Sequence, residues 1–198
     1  MRRRRSKKWV GDRVLPRTDD GDRQMGDSTP GRRIAPAALL FASLLLLVGG
    51  SGAEAAQVGF SLGVIDFSRD NEAVELGVDV GFGRWRWGLV PHAGVHATAD
   101  ESYYGYFGVR RPFELGGSGA WLVAPSLAVS LYERGKGKEL GGPLEFRSGI
   151  ELLRRWRTGG TIGLGFYHLS NSSLYDLNPG TNSLLLRIQL PPKSAGGP

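Results

Sequence analysis

The chain reads as an all-β protein, an eight-stranded antiparallel transmembrane β-barrel. Three observations predict this. Residues 57–190 alternate with period two through eight segments, separated by clusters of Gly, Asp, Asn and Pro. A leader with the order of a secretory signal precedes them. Aromatic residues (Trp85, Tyr103, Tyr132, Trp156) stand near segment ends, as interfacial girdles do. A soluble β-sandwich or a lipocalin-like barrel would show the same alternation with its apolar rows turned inward. The leader, the aromatic ends and the even strand count favour the membrane version.

The leader comes first. Of 25 Lys+Arg and 19 Asp+Glu in the chain, residues 1–33 hold 11 and 5, so the whole net charge of +6 is local to them. This basic lead is expected to be disordered, with Met25 a plausible true start. Arg32 and Arg33 open onto an apolar run at 34–48, and Ala53-Glu54-Ala55 fits a cleavage site, so 34–55 reads as the signal region. A run of about 15 residues is short for a spanning helix, which needs about 20. The remaining chain is neutral, so no basic face continues into it and a nucleic-acid partner is not indicated. The absence of cysteine excludes disulfide staples, thiol nucleophiles and cysteine metal sites.

The mature domain, 56–190, divides into strands in order. Strand one, 57–67, sets Val58, Phe60, Leu62 and Val64 on one face. Strand two, 72–82, opposes Val74, Leu76, Val78 and Val80 to Glu75, Gly77 and Asp79. Strand three, 84–97, opposes Trp85, Trp87 and Leu89 to Arg86 and Gly88. Strand four, 102–113, is aromatic. Strand five, 120–133, sets Trp121, Val123, Leu127, Val129 and Leu131 against Ala124, Ser126, Ala128 and Ser130. Strand six, 144–155, opposes Leu144, Phe146, Ile150 and Leu152 to Glu145, Arg147 and Glu151, a set suited to charge pairing in a filled lumen. A hairpin supplies strands seven, 161–170, and eight, 181–190; a tail, 191–198, is expected to be flexible. With the N-terminus on the periplasmic side, odd strands run outward and the 133–142 and 171–180 connections become outer loops.

Chemistry concentrates in that last hairpin. Ile162, Leu164, Phe166, His168 and Ser170 share one face, and Asn182, Leu184, Leu186, Ile188 and Leu190 share one face of the next strand. Both apolar rows therefore end in polar groups. A serine hydroxyl becomes a nucleophile when a base takes its proton, and residues i and i+2 of a strand are neighbours on one face, so His168 can serve Ser170. Asn182 is the face-matched group to orient the imidazole. The Asn171 amide and the N–H groups at Ser172 and Ser173 are candidate oxyanion donors. His92 and His96 share a face of strand three, but a metal would need further ligands. The pairs Arg110-Arg111 and Arg154-Arg155 could meet lipid phosphates, or divide between lumen and interface.

His168-Leu169-Ser170-Asn171, followed by Asn178-Pro179-Gly180-Thr181-Asn182-Ser183 and an amphipathic final strand, resembles the PagL-type lipid A 3-O-deacylases. The resemblance implies an eight-stranded outer-membrane barrel and a serine esterase acting on lipid A of lipopolysaccharide. It gives His168 as base, Ser170 as nucleophile, and Asn171 with the Ser173 N–H as oxyanion donors. No cofactor is implied by serine chemistry. The chain departs from the family pattern in three ways. Asn182 stands where the family has a glutamate, with Asp176 in the turn as a possible substitute. Ser173 replaces a glycine. The chain ends in P-P-K-S-A-G-G-P rather than in an aromatic residue. A catalytically silent barrel with a structural or lipopolysaccharide-binding role is the alternative that Asn182 favours.

Overall fold

The computed structural model describes residues 56–191. The basic lead at 1–33, the signal region at 34–55 and, past Pro191, the C-terminal tail lie outside the described residues.

The described residues form β1 (Gln57–Ile65), β2 (Ala73–Gly81), β3 (Val90–Thr98), β4 (Tyr103–Arg110), β5 (Phe113–Leu115), β6 (Trp121–Glu133), β7 (Leu144–Arg155), β8 (Thr161–Ser170) and β9 (Thr181–Gln189). All pairings are antiparallel. The sheet runs β4-β3-β2-β1-β9-β8-β7-β6, and β4 pairs β6 to close it. The fold is therefore a closed barrel of eight long strands; β5 is a short extension of the β6 edge. The strands expected at 144–155 and 161–170 form with those bounds.

Two expectations need correction. Strand three does not begin at 84: Arg86–Gly88 forms a 3-10 turn, and β3 starts at Val90. Trp87 and Gly88 take left-handed φ values of 59° and 74°, which no strand permits. The Trp-Arg-Trp-Gly alternation is loop sequence that imitates a strand. Strand four is also cut short: β4 stops at Arg110, and Pro112, which has no N–H to give, separates it from β5.

The direction of the faces distinguishes a membrane barrel from a soluble one. Leu76 and Leu164 are 57% and 54% exposed, while Tyr106 and Arg187 are fully buried. The apolar rows thus point outward and the polar rows inward. In water so continuous an apolar belt would be costly, whereas lipid matches it.

The interior is packed. Arg187 Nη2 donates to Asp79 Oδ1 at 2.5 Å and its Nε lies 3.6 Å from Glu151 Oε1. Tyr167 donates to Glu151 Oε1 at 2.7 Å. His96 Nδ1 sits 2.6 Å from Glu75 Oε1, which also accepts from Tyr104. Glu145, Arg147 and Glu151 all point inward as the sequence suggests. Arg147, however, lies between the rings of Tyr106 and Tyr167, 4.5 and 3.5 Å from their centroids, rather than against its glutamate neighbours. A Cβ at Gly149 would overlap the Tyr167 ring, so glycine there makes room for it.

Connections 66–72, 99–102, 134–143 and 171–180 gather at one end of the barrel, and 82–89, 111–120 and 156–160 at the other.

Candidate active site

The site is built on the outward face of β8 and β9, at the end where the 171–180 loop joins them. The antiparallel register sets His168 opposite Asn182. Both side chains are half-buried, on the same outward face as Leu164, Phe166 and Leu186. His168 Nδ1 lies 2.8 Å from Asn182 Oδ1. With the amide oxygen as acceptor, Nδ1 carries the proton and Nε2 keeps its lone pair. Ser170 follows two residues on, on the same face, half-buried and paired with Phe146 of β7. The strand rise puts its Cα about 6.6 Å from that of His168. No Ser170–His168 hydrogen bond forms among the described residues.

The glycine of the Asn178-Pro179-Gly180 turn bears directly on the imidazole. Gly180 is buried with φ 58°, and a Cβ there would come within 2.8 Å of His168 Cε1 and 3.2 Å of Nε2. A residue with a side chain here would push the ring from its place.

The two expected oxyanion donors are engaged with each other. Ser173 N–H donates to Asn171 Oδ1 at 3.0 Å. Asn171 Nδ2 donates to Leu140 O at 2.7 Å and to Leu177 O at 2.8 Å. Asn171, wholly buried, thus clamps the 134–143 loop to the 171–180 loop. Gly141 reinforces the clamp, since a Cβ there would overlap Leu177 O. Ser172 and Ser173 take φ values of 52° and 64°. Asp176, the possible substitute acid, is exposed in the same loop, and the Nδ1 position of His168 is taken by Asn182.

Two residues near the site escaped the sequence reading. Asp66, wholly buried just past β1, accepts from Lys138 Nζ at 2.7 Å, from Thr181 Oγ1 at 3.1 Å and from Asn71 N–H at 3.3 Å. Phe67 N–H also donates to Asn182 O at 3.1 Å. Burial works to raise the Asp66 carboxyl, but the Lys138 bond and charge, with the Thr181 and Asn71 bonds, outweigh it and hold the group below its ordinary range. Asp66 thereby fixes the start of β9, where Asn182 sits. Ser148 of β7 is the second: it lies opposite His168 in register, an exposed hydroxyl between Phe146 and Ile150 on the outward row.

Other candidates lie away from this place. Arg110 is buried and 3.6 Å from Asp79, while Arg111 is exposed over the Phe113 ring. Arg155 pairs with Glu114 at 3.0 Å, and Arg154 is exposed beside Trp121. All four arginines are at the opposite end of the barrel, so they cannot reach a phosphate held at the His168 end. His92 and His96 point into the lumen, and among the described residues no cluster of three or more metal-ligating side chains forms.

The fold matches a crystal structure of the outer membrane enzyme PagL with a TM-score of 0.57, at 19% identity, over 68% of this chain and 99% of that one. No curated protein matches the chain. A model of the lipid A 3-O-deacylase (PagL) family matches residues 57–191, every strand of the barrel, and the chain therefore belongs to the lipid A 3-O-deacylase (PagL) family.

Proposed function

We propose that this protein is an outer-membrane serine esterase that removes the ester-linked 3-position acyl chain from lipid A of lipopolysaccharide. The observation that carries this reading is the 2.8 Å contact between His168 and Asn182 on the lipid-facing surface, with Ser170 two residues along the same face. Lipid A meets such a site laterally, its acyl chains lying along Ile162, Leu164 and Phe166 while the ester reaches the polar end of the row. His168 Nε2 takes the Ser170 proton as Oγ attacks the carbonyl. The imidazolium returns that proton to the departing 3-oxygen of the sugar, leaving an acyl-serine. Water, activated by the same imidazole, then releases the 3-hydroxy fatty acid. Asn182 holds the tautomer that keeps Nε2 basic. The Ser173 N–H acts as an oxyanion donor once ester binding breaks its bond to Asn171 Oδ1, and Asn171 joins it when its Nδ2 leaves the Leu140 and Leu177 carbonyls; catalytic hydrogen bonds commonly tighten only with substrate in place.

The test is expression of the parent and of Ser170→Ala in a Gram-negative host, with the lipid A weighed by mass spectrometry. Loss of one hydroxyacyl chain with the parent alone is the expected result. An unchanged lipid A with a folded parent barrel overturns the reading. That outcome would favour a silent, lipopolysaccharide-binding barrel, which the neutral Asn182 and the closed Asn171–Ser173 contact support.

A further inference from the structure

The barrel is electrically polarised along its axis. Six arginines stand at the end remote from His168: Arg84, Arg86, Arg111, Arg154, Arg155 and Arg157. Among the described residues the only exposed acid there is Glu114, which pairs with Arg155; the buried Asp79 is taken up by Arg187 and Arg110. The connections at the His168 end instead carry seven acids against Arg69, Arg134, Lys136 and Lys138. Tryptophan follows the same division. Trp85, Trp87, Trp121 and Trp156, all four in the described domain, are at the arginine end. Trp85 and Trp87 are 65% and 78% exposed. Trp87 holds a left-handed backbone at φ 59°, which a bulky residue adopts at a cost, and the result is an indole thrust outward.

Interfacial indoles alone are ordinary in membrane barrels. Their interleaving with exposed guanidinium groups is a different feature. An indole anchors at headgroup depth, and an arginine at that depth binds phosphate by two parallel hydrogen bonds. We propose that this rim is a binding surface for anionic glycerophospholipids of the periplasmic leaflet, with phosphatidylglycerol as the representative headgroup. The leaflet assignment rests on the reading that the His168 end faces lipid A. Charge complementarity selects the occupant: a zwitterionic headgroup offers no net charge to the arginine excess. An arginine near an anionic surface is worth about 1 kcal/mol, which is about fivefold in relative lipid affinity.

The rim indoles report on the lipids beside them. The full chain carrying Trp9→Phe is folded into phosphatidylcholine vesicles. Its fluorescence is then quenched with brominated phosphatidylglycerol or brominated phosphatidylcholine at equal mole fraction. The expected result is a relative affinity for phosphatidylglycerol of about fivefold or more. It should fall toward unity in 0.5 M salt and in a variant carrying Arg86→Gln, Arg111→Gln and Arg157→Gln. Equal quenching by the two lipids in the parent overturns the proposal, as does a preference that survives in the triple variant. If unlabelled lipid A relieves the quenching better than unlabelled phosphatidylglycerol at equal phosphate, the rim is a lipid A site and the glycerophospholipid assignment fails. None of these readouts depends on esterase activity, so failure of the deacylase reading is seen separately.

Discussion

Replacing Asn182 by aspartate is the sharpest test of the proposed mechanism, because it changes charge and almost nothing else. Asp and Asn are nearly isosteric, so Oδ1 can stay 2.8 Å from His168 Nδ1. In the parent that bond runs to a neutral amide, which orients the ring but cannot balance the imidazolium formed as Ser170 attacks. A full negative charge about 4 Å from the centre of the ring is worth about 4 kcal/mol at an effective dielectric of about 20. Part is lost in desolvating a carboxylate on a half-buried, lipid-facing surface. Hydrogen bonds to charged groups contribute about 1.5–3 kcal/mol net. Each 1.36 kcal/mol is tenfold in rate, so deacylation by Asn182→Asp should run about 10- to 150-fold faster. The assay is release of hydroxy fatty acid from purified lipid A in detergent micelles, with folding verified by the heat-dependent shift of the barrel on a gel. A folded Asn182→Asp protein whose rate stays within twofold of the parent would refute the argument that the missing charge limits catalysis.

Gly180→Ala should lower the deacylation rate at least tenfold, because its Cβ drives into His168 Cε1; the left-handed φ adds about 1–2 kcal/mol of destabilisation, read from the thermal midpoint. Ser173→Gly should do the reverse to stability, raising the midpoint by relieving about 1 kcal/mol of strain at φ 64°, while the Ser173 N–H contact to Asn171 remains. Asp66 gives a pH dependence of defined sign. Its carboxyl is lowered by folding, so its contribution to holding the start of β9 is complete above the unfolded value of 3.8 and is lost as pH falls through the lower folded value. Protection of the Thr181 amide, its exchange rate taken relative to the intrinsic rate at each pH, should therefore fall in acid below that value in the parent, and lose this dependence in Asp66→Asn.

The last hairpin was legible because its information is local. Period two alone places His168, Ser170 and Asn182 on one face, and a single hairpin sets the register that brings His168 to Asn182. The Trp85 and Trp87 segment misled for the same reason. Alternation in a loop is indistinguishable from alternation in a strand until the backbone turns left-handed. The partners of Asn171 were out of reach, since Leu140 is 31 residues away and joins it only when two loops pack. Asp66 lies further off, 115 residues from the Thr181 hydroxyl it binds. Barrel closure makes them neighbours, and no periodicity records that. Glu145, Arg147 and Glu151 show the intermediate case: their inward direction could be read, but not the choice of tyrosine faces over carboxylates for Arg147.

The packed interior bears on the cell as much as on the site. Arg147, Arg187, Tyr104, Tyr106 and Tyr167 point into the lumen and are at most 1% exposed, so among the described residues the interior is plugged by side chains rather than open. A porin-like scaffold would link dosage to leakage. This one lets the number of copies rise without weakening the permeability barrier, so the amount of protein can follow the amount of lipid to be treated while the envelope stays sealed.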